Sequence, residues 1–541
     1  MSVLADGVCV TFPRKNDDAM RVTPHSTRLR SNTASLLVVL PLLIVAPGST
    51  GTSASAAVGR LQDSTSTAQL AGLERFADSF VTRSGPRLSV AGRPFRFGGA
   101  NIEWLGLAGY GPFDPNGPHF PSNYEIDDAM ATAKEMGVKV VRSQTMGDSV
   151  GCDHCIEPTL GQFNQDAFER IDYALKSARA HGIKVIPTIV GDDARAGGTG
   201  CVYLRWRGIS IPNCSLVDMP LFWEDQTVIR DVEEHIKALL NHVNVYTHVA
   251  YKDDPTILGW DLLNGGGSPA PWTRQIAQYV RSLDSRHLIL SGPANAGIRE
   301  VDVCVSFVYP HWFQPLASLK QGIAKCKKAR KPFLAYEYGW DQTNYPTLRG
   351  LRAFLESLEN APEIAGDAFW ALQAHNDGHG WMPIPADTTD PTTARYLESG
   401  QWWALYYTGI QTLVNTAADM AARAQVLRSH NYSMGGLRVA AHAIPPRPTV
   451  TSVDYGPTSF TGRIGARVYW QGSAGSKNYS VQRATNAAGP WRTVCKRCVT
   501  DLDDGYVDLG SGARTGWYRV IPHNLDGRAG RASKAMRSST R

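Results

Sequence analysis

The sequence has no basic stripe interleaved with aromatic residues, and after residue 46 it has no apolar run long enough to cross a membrane. Charged residues make up only 19% of the chain, and the formal net charge of +6 is small for 541 residues. Much of the basic excess lies before residue 56 and near the far end, where a solvated tail is expected; the latter residues are Arg528, Arg531, Lys534, Arg537 and Arg541. These absences argue against a nucleic-acid partner and against a membrane-spanning protein.

The sequence also lacks a cluster of His, Asp and Glu residues with the spacing of metal ligands. The nearest such group is His375 and His379 with Asp377, and a glycine-rich loop explains it better. We therefore expect no metal and no organic cofactor. A monomer is expected.

The first 56 residues have the pattern of a presequence with a secretory signal. Arg21, Arg28 and Arg30 precede the apolar residues 34–46, and Ala54-Ser-Ala56 provides small residues for cleavage. The pattern predicts a secreted, extracellular protein that leaves the membrane after cleavage, with an uncleaved anchor as the alternative. Residues 57–85 are rich in Ser, Thr and Ala near their start and are predicted to be a linker.

Outside the presequence the chain has eight cysteines. An even number in an exported protein favours disulfide bonds. Proximity predicts four pairs: Cys152 with Cys155, Cys201 with Cys214, Cys304 with Cys326, and Cys495 with Cys498. Two Cys-x-x-Cys pairs can also form a zinc site, but Cys152 and Cys495 fall in separate predicted domains.

Residues 86–440 alternate short β-branched segments with amphipathic helical ones, which is typical of repeated βα units. The predicted strands are 95–101, 138–142, 184–188, 257–263, 288–291, 303–308, 332–336 and 364–370. Helices are predicted between most of them, including 225–246 and a last one from 402 to about 429, and Ser122-x-x-Glu125 is a predicted capping box. This pattern predicts an α/β fold, a (β/α)8 TIM barrel, with its active site at the C-terminal ends of the strands.

The composition changes at residues 441–448, which are predicted to be a Pro-rich linker. Residues 449–541 follow with short alternating strands, so they predict a small all-β sandwich. Its aromatic residues are expected in the core in preference to a sugar-binding surface; they are Trp470, Tyr479, Tyr506 and Tyr518.

Glu337 is the strongest candidate for a catalytic residue. It closes the apolar segment 332–336 and is followed by Tyr338, Gly339 and Trp340. A carboxylate at the C-terminal end of a barrel strand suits a nucleophile, and the alternative is a structural ion pair with an arginine. The nucleophile and the ion pair are compatible if Arg142, which ends the second predicted strand, keeps Glu337 ionised.

Several motifs resemble glycoside hydrolase family five, in its endo-β-1,4-mannanase branch. They are Trp260-x-Leu-x-Asn264, Arg142, Phe307-x-Tyr309-Pro310, Tyr336-Glu337-Tyr338-Gly339, Trp370, Tyr203-x-x-Trp206, Leu221-Phe-Trp223 and the run from Asn244 to Ile257. The resemblance covers roughly residues 93–429. Residues 449–541 are similar to a fibronectin type III domain.

The resemblance implies roles for individual residues. Glu337 matches the nucleophile, and Asn264 matches the asparagine that hydrogen-bonds the 2-hydroxyl of the sugar. Arg142 and Tyr309 match residues that position the nucleophile, and Trp370 matches the stacking platform under the sugar. Further aromatic residues are candidates to extend the groove; they are Trp104, Trp223, Trp312 and Trp381.

The chain departs from the family at two positions. Gly265 stands where the family has the glutamate that acts as acid and then base, and Phe307 stands where it has a histidine. Retaining glycosidases need two carboxyl groups about 5 Å apart, so loss of the proton donor impairs or abolishes hydrolysis. The residues considered as replacements are Asp261, Glu103, Asp192 and Asp193.

We therefore expect a β-mannan-directed glycosidase with impaired or lost catalysis. The alternatives are a non-catalytic glycan-binding protein and a hydrolase of another β-glycan such as cellulose.

Overall fold

The computed structural model describes residues 75–540 except for 110–116, 192–198, 210–219, 311–315, 379, 383–402, 413, 458–463, 502–505 and 511–512. The predicted presequence and most of the predicted linker lie outside this part of the chain. So do several residues named above: Cys214, Asp192, Asp193, Trp312, His379 and Arg541.

A three-stranded antiparallel sheet leads into the barrel and was not predicted. It consists of β1 (Val81–Ser84), β2 (Arg87–Val90) and β3 (Arg93–Phe95), and β1 lies inside the segment assigned to a linker. Val81 and Leu88 pack in one core cluster with Phe97 and Val140, which begin barrel strands. The sheet therefore covers the N-terminal end of the barrel and leaves the other end for the site.

The predicted (β/α)8 barrel is confirmed. Its strands are β4 (Phe97–Asn101), β5 (Val140–Ser143), β6 (Lys184–Pro187), β7 (Gly259–Asp261), β8 (Leu288–Ser291), β9 (Val303–Val308), β10 (Phe333–Tyr338) and β11 (Ile364–Phe369). Neighbouring strands pair in parallel in the order β6-β5-β4-β11-β10-β9-β8-β7. Parallel bridges from Val185 to Ile257 and from Thr188 to Asp261 join the first and last strands of that order and close the barrel.

Helices connect most of the barrel strands. They are α1 (Asn123–Glu135), α2 (Gln165–His181), α3 (Thr199–Trp206), α4 (Pro220–Glu224), α5 (Gln226–Asn241), α6 (Ala270–Leu283), α7 (Leu316–Lys328), α8 (Leu348–Glu359) and α9 (Ala417–Met434). The predicted capping box is present, because Ser122 accepts from the Glu125 amide while the Glu125 carboxylate accepts from the Ser122 amide. Between β8 and β9 the chain makes only a short 3-10 turn, Pro293–Asn295.

Two helix boundaries differ from the prediction. α5 ends at Asn241 rather than 246, because the Asn244 side chain accepts from the amides of Tyr246 and Thr247 and so forms a turn. The last helix begins at Ala417 rather than 402, with Thr416 as its N-cap. In both cases a capping or turn-forming side chain sets the helix end, although the apolar periodicity continues beyond it.

Two four-stranded sheets form a sandwich after the barrel. Their strands are β12 (Thr449–Pro457), β13 (Ile464–Gln471), β14 (Ser476–Ala484), β15 (Arg492–Thr500), β16 (Tyr506–Asp508), β17 (Trp517–Asn524), β18 (Met536–Arg537) and β19 (Ser539–Thr540). The orders are β16-β13-β12-β19, here the β13 sheet, and β15-β14-β17-β18, here the β17 sheet. Both sheets contribute to one buried core.

Two expectations for this region need correction. Tyr506 is 37% exposed and stacks on Tyr469, whereas Trp470, Tyr479 and Tyr518 are in the core as expected. Arg537 lies in a strand that pairs with Trp517, so the basic residues near the end of the chain are not all in a solvated tail.

Three of the four predicted disulfide bonds are present: Cys152 with Cys155, Cys304 with Cys326, and Cys495 with Cys498. Both Cys-x-x-Cys pairs are therefore disulfides, and their thiolates do not ligate zinc. Cys201 is disulfide-bonded, but its predicted partner Cys214 lies outside the described residues.

A buried histidine joins the barrel to the sandwich. His375 Nδ1 lies 2.9 Å from Asp128 of α1, and its Nε2 lies 3.1 Å from Asp501, which follows β15. Because both ring nitrogens face carboxylates, both carry protons and the ring is an imidazolium. Burial alone lowers its pKa, but Asp128 and Asp501 raise it to about 10.

Replacement of His375 by Leu is expected to destabilise the protein by about 3–5 kcal/mol, because Asp128 and Asp501 then face each other buried without a cation. The raised pKa means that the stabilisation is complete below pH 6.5 and is lost as the pH rises towards 10. Thermal unfolding from pH 6.5 to 10 measures both effects, and the slope with pH should be smaller in the variant. Thr408→Val, which removes one hydrogen bond to Asp501, is the control; equal losses in both variants would contradict the ion pair.

Candidate active site

The predicted nucleophile and its predicted partners lie together at the C-terminal end of the barrel. Glu337 is in β10, and its side chain is 10% exposed. Its Oε2 accepts from Arg142 Nη1 at 2.9 Å, and its Oε1 accepts from the Tyr309 hydroxyl at 3.0 Å. With a donor on each oxygen, the carboxylate is held in one orientation.

Arg142, from β5, is the centre of this hydrogen-bonded group. It donates from Nε and Nη2 to Asp261, from Nη1 to Asn101 and Glu337, and from Nη2 to Asn264, so all five of its N–H groups are used. Only 1% of its side chain is exposed. The fork shape of the guanidinium fixes four side chains relative to one another, two from β4 and β10 and two from β7 and the turn after it.

An aromatic pair covers the guanidinium. The Arg142 carbon Cζ lies 4.2 Å from the Tyr336 ring centre and 5.8 Å from that of Phe307, and the two rings stack at 5.5 Å. Burial alone lowers the pKa of Arg142, but Tyr336, Asp261 and Glu337 raise it above its usual value. The cation therefore persists at any working pH. Phe307 contributes an aromatic face here, where the resemblance led us to expect a histidine.

Asn264 follows β7, as predicted for a residue that contacts the sugar. Its side-chain oxygen accepts from Arg142 Nη2 at 2.5 Å, and its backbone N–H donates to the Val190 carbonyl at 2.9 Å. Because the oxygen faces Arg142, the NH2 group is the donor end of the side chain. Donors of this kind suit a sugar hydroxyl.

Gly265 has a left-handed backbone, with φ of 77° and ψ of −15°. A residue with a Cβ atom is strained in this region by about 1–2 kcal/mol. The chain therefore uses glycine here for its backbone as well as lacking a carboxylate, which the sequence alone did not indicate.

Of the acids considered as replacements, two are described. Asp261 is fully buried, and its Oδ2 accepts from Arg142 and from the Thr188 hydroxyl at 3.0 Å. It is therefore a counter-charge for Arg142 beneath the site and not an acid exposed to a ligand. Glu103 is half-buried beyond β4 and lies 3.4 Å from Gln373.

Of the aromatic residues predicted to line the groove, Trp370 lies at the C-terminal end of the barrel, whereas Trp104, Trp223 and Trp381 are packed in other contacts. Trp370 directly follows β11, is half-buried, and donates from its backbone amide to the Tyr338 carbonyl; its peptide bond to Ala371 is cis. Trp104 is 5% exposed in the main core, and Trp223 packs edge-on against Phe222 and Trp272. Trp381 stacks on His375 and donates to Asp501, so it belongs to the contact with the sandwich rather than to the groove.

Asn101 and Thr188 belong to the site and were missed. Asn101 ends β4, donates to the Tyr336 and Phe369 carbonyls, and accepts from Arg142 at 3.1 Å. A polar residue ending a buried strand was the available signal. Within the described ranges, no group of three His, Cys, Asp or Glu residues is placed to hold a metal, and no helix has the length and apolar character of a membrane span.

The barrel, with a buried acid near the end of its seventh strand and aromatic residues around it, has the architecture of the glycoside hydrolase barrels. Residues 78–306 match the model of the glycoside hydrolase family 5 β-mannosidase-like family. A mannan endo-1,4-β-mannosidase 4 of Oryza sativa is 30% identical over 361 residues, which cover 56% of this chain and 75% of the rice protein. The chain therefore belongs to the glycoside hydrolase family 5 β-mannosidase-like family.

A mannan endo-1,4-β-mannosidase 7 of Arabidopsis thaliana is 34% identical over 222 residues, which cover 39% of this chain and 48% of that protein. The chain thus spans about half the length of several curated relatives that it matches. A solved family 5 mannosidase from Rhizomucor miehei has a TM-score of 0.50 and 16% identity, covering 66% of this chain and 98% of its own. That likeness concerns the fold alone.

Proposed function

We propose that this protein binds β-1,4-linked mannan at the C-terminal end of the barrel and that Glu337 is the nucleophile of a retaining mannosidase mechanism. We further propose that hydrolysis of the natural polymer is impaired or lost because the proton donor is missing at Gly265. The observation that carries the proposal is the group formed by Glu337, Arg142, Tyr309 and Asn264 beside a glycine. The names of the related plant proteins support mannan as the glycan.

Each part of the group has a chemical role in this proposal. Arg142 keeps Glu337 ionised and Tyr309 fixes its second oxygen, so the carboxylate is ready to attack the anomeric carbon. The NH2 group of Asn264 donates to the sugar 2-hydroxyl, and Trp370 provides an apolar face for the ring. When the bond to the next sugar breaks, its oxygen needs a proton, and general acid catalysis is worth about 10²–10⁴ in rate.

A glycan-binding protein without turnover is the second candidate. It is favoured by the coincidence of Gly265 with Phe307, since both replace residues that the family uses in catalysis. In this candidate the group around Arg142 has a structural and ligand-positioning role only. A barrel directed to cellulose or another β-glycan keeps the same group and differs in the groove.

The proposal also includes secretion through the signal in residues 1–56 and a fibronectin type III-like fold for residues 449–541. The basic and apolar segments followed by Ala54-Ser-Ala56 support the first. The two packed four-stranded sheets support the second.

The test compares the parent protein with Gly265→Glu. The parent should be retained on insoluble mannan more strongly than on cellulose. Gly265→Glu should release reducing sugar from mannan, and release by the parent should be at least about 10² times slower or undetectable. Gly265→Ala is the control for the left-handed backbone and should lose about 1–2 kcal/mol of stability without gaining activity.

The outcomes separate the candidates. A parent that hydrolyses mannan as fast as Gly265→Glu has a proton donor elsewhere, and the proposed impairment is then wrong. A folded Gly265→Glu that binds mannan but stays inactive supports the binding protein. Stronger retention on cellulose than on mannan would reassign the glycan.

A further inference from the structure

The β17 sheet of the sandwich carries charge of one sign. Its strands β14, β15, β17 and β18 contain seven basic residues and no Asp or Glu; the seven are Lys477, Arg483, Arg492, Lys496, Arg497, Arg519 and Arg537. In the part of the chain that the structure describes, none of the seven pairs with a carboxylate. The β13 sheet differs, because its single arginine, Arg467, lies 3.4 Å from Asp508.

Strand register places two arginines on the outer face of the β17 sheet, and a third, Arg497, is exposed in β15. Tyr518 and Val520 of β17 are buried in the core, so Arg519 between them points outward. Arg537 pairs with Trp517, which also points outward. The Arg497 guanidinium donates from Nη2 to the Gly527 carbonyl at 2.6 Å. The three arginines thus belong to β15, β17 and β18, with β14 between the first two strands.

An aromatic and an amide side chain contact Arg519. Cζ of Arg519 lies 4.3 Å from the Trp491 ring centre, and its Nε donates to Gln482 at 2.7 Å. Gln482 donates in turn to Thr493 at 3.3 Å. Trp491 and Trp517 are half-buried, whereas Arg497 and Arg537 are exposed. The face therefore combines cations with apolar ring surface.

We propose that this outer face binds a carboxylated polysaccharide, a polymer of uronic acid sugars. Guanidinium groups pair with carboxylates through two parallel hydrogen bonds, and the accessible part of an indole ring covers the C–H surface of a pyranose. Adjacent strands lie about 4.8 Å apart, so the strand of Arg519 is one such spacing from that of Arg537 and two from that of Arg497. A chain that crosses the strands can therefore meet the three cations in turn. A flat sheet face suits an extended polymer lying across it.

This inference does not depend on catalysis or on the glycan bound by the barrel. In this proposal the sandwich binds an acidic polymer, whereas the barrel binds the neutral polymer mannan. The acidic polymer then holds the barrel close to a neutral glycan present in the same material.

The test uses the full chain and two probes with the same backbone, polygalacturonate and its fully methyl-esterified form. Affinity electrophoresis and calorimetry at low salt should show binding of polygalacturonate only, weakening as salt screens the charges. The triple variant Arg497→Gln/Arg519→Gln/Arg537→Gln should lose about tenfold or more in affinity, while its retention on mannan stays unchanged.

A matched triple variant controls for net charge. Arg230→Gln/Arg349→Gln/Arg352→Gln removes three exposed arginines from barrel helices and should bind polygalacturonate as the parent does. Equal loss in both triple variants, or equal binding of the esterified polymer, would overturn the proposal. So would double-stranded DNA bound as tightly as polygalacturonate, because the face then recognises nucleic acid. Unchanged thermal unfolding of the variants excludes misfolding as the cause.

Discussion

A dinitrophenyl β-mannobioside is expected to react with Glu337 in a stoichiometric burst of dinitrophenolate, although mannan itself stays intact. The Glu337 carboxylate attacks the anomeric carbon, the bond from that carbon to the phenolic oxygen breaks, and the electron pair leaves with the phenolate. This leaving group is a stable anion and needs no proton, so the missing acid at Gly265 does not matter for the first step. The bonds from Arg142 and Tyr309 hold Glu337 in one orientation for this proposed step.

The second step should then be slow, because the residue that normally supplies the acid also acts as the base that activates water. The mannosyl group is therefore expected to stay on the enzyme long enough for intact mass measurement, and peptide mapping should place it on Glu337. Stopped-flow absorbance measures the burst. Glu337→Gln should show none, and a parent protein without a burst would argue for the binding function alone.

Removal of Arg142 should destabilise the protein more than removal of Glu337. Arg142→Met leaves Asp261 and Glu337 buried without a cation, and breaking such a pair costs about 3–5 kcal/mol. Glu337→Gln instead leaves Arg142 and Asp261 as a neutral pair, so its free energy of unfolding should change by about 1 kcal/mol or less. Urea denaturation of each variant measures the difference.

The double variant Arg142→Met/Asp261→Asn is the decisive control. Because it removes the fully buried counter-charge together with the cation, it should recover part of the stability lost in Arg142→Met. Additive losses would show that Arg142 acts through packing against Tyr336 and Phe307 rather than through its charge.

The buried barrel strands could be predicted from the sequence because their apolar runs are continuous. Strands 288–291 and 303–308 were predicted with their observed bounds, because continuous apolar runs between breakers have few other ways to be buried. Helix ends were wrong where a side chain capped the backbone, as Asn244 does after α5. The pairing of Arg142 with Glu337 followed from both residues ending strands of one barrel.

Other features of the site depend on contacts that no spacing encodes. Asp261 was a candidate acid in sequence, and only its burial and its bonds to Arg142 and Thr188 make it a counter-charge. Trp381 was a candidate to extend the groove, and only the packing against His375 and Asp501 assigns it to the sandwich contact. The left-handed backbone of Gly265 is likewise visible only in the structure.

The final strands of the sandwich affect when it folds during synthesis. Met536–Arg537 pair with β17 in one sheet, and Ser539–Thr540 pair with β12 in the other. β17 and β12 therefore remain edge strands of their sheets until the ribosome has made the chain through Thr540, whereas all eight barrel strands precede residue 370. Domains generally fold in the order in which they are made, so the barrel can be complete while the sandwich is still vulnerable to proteases and to strand exchange between nascent chains.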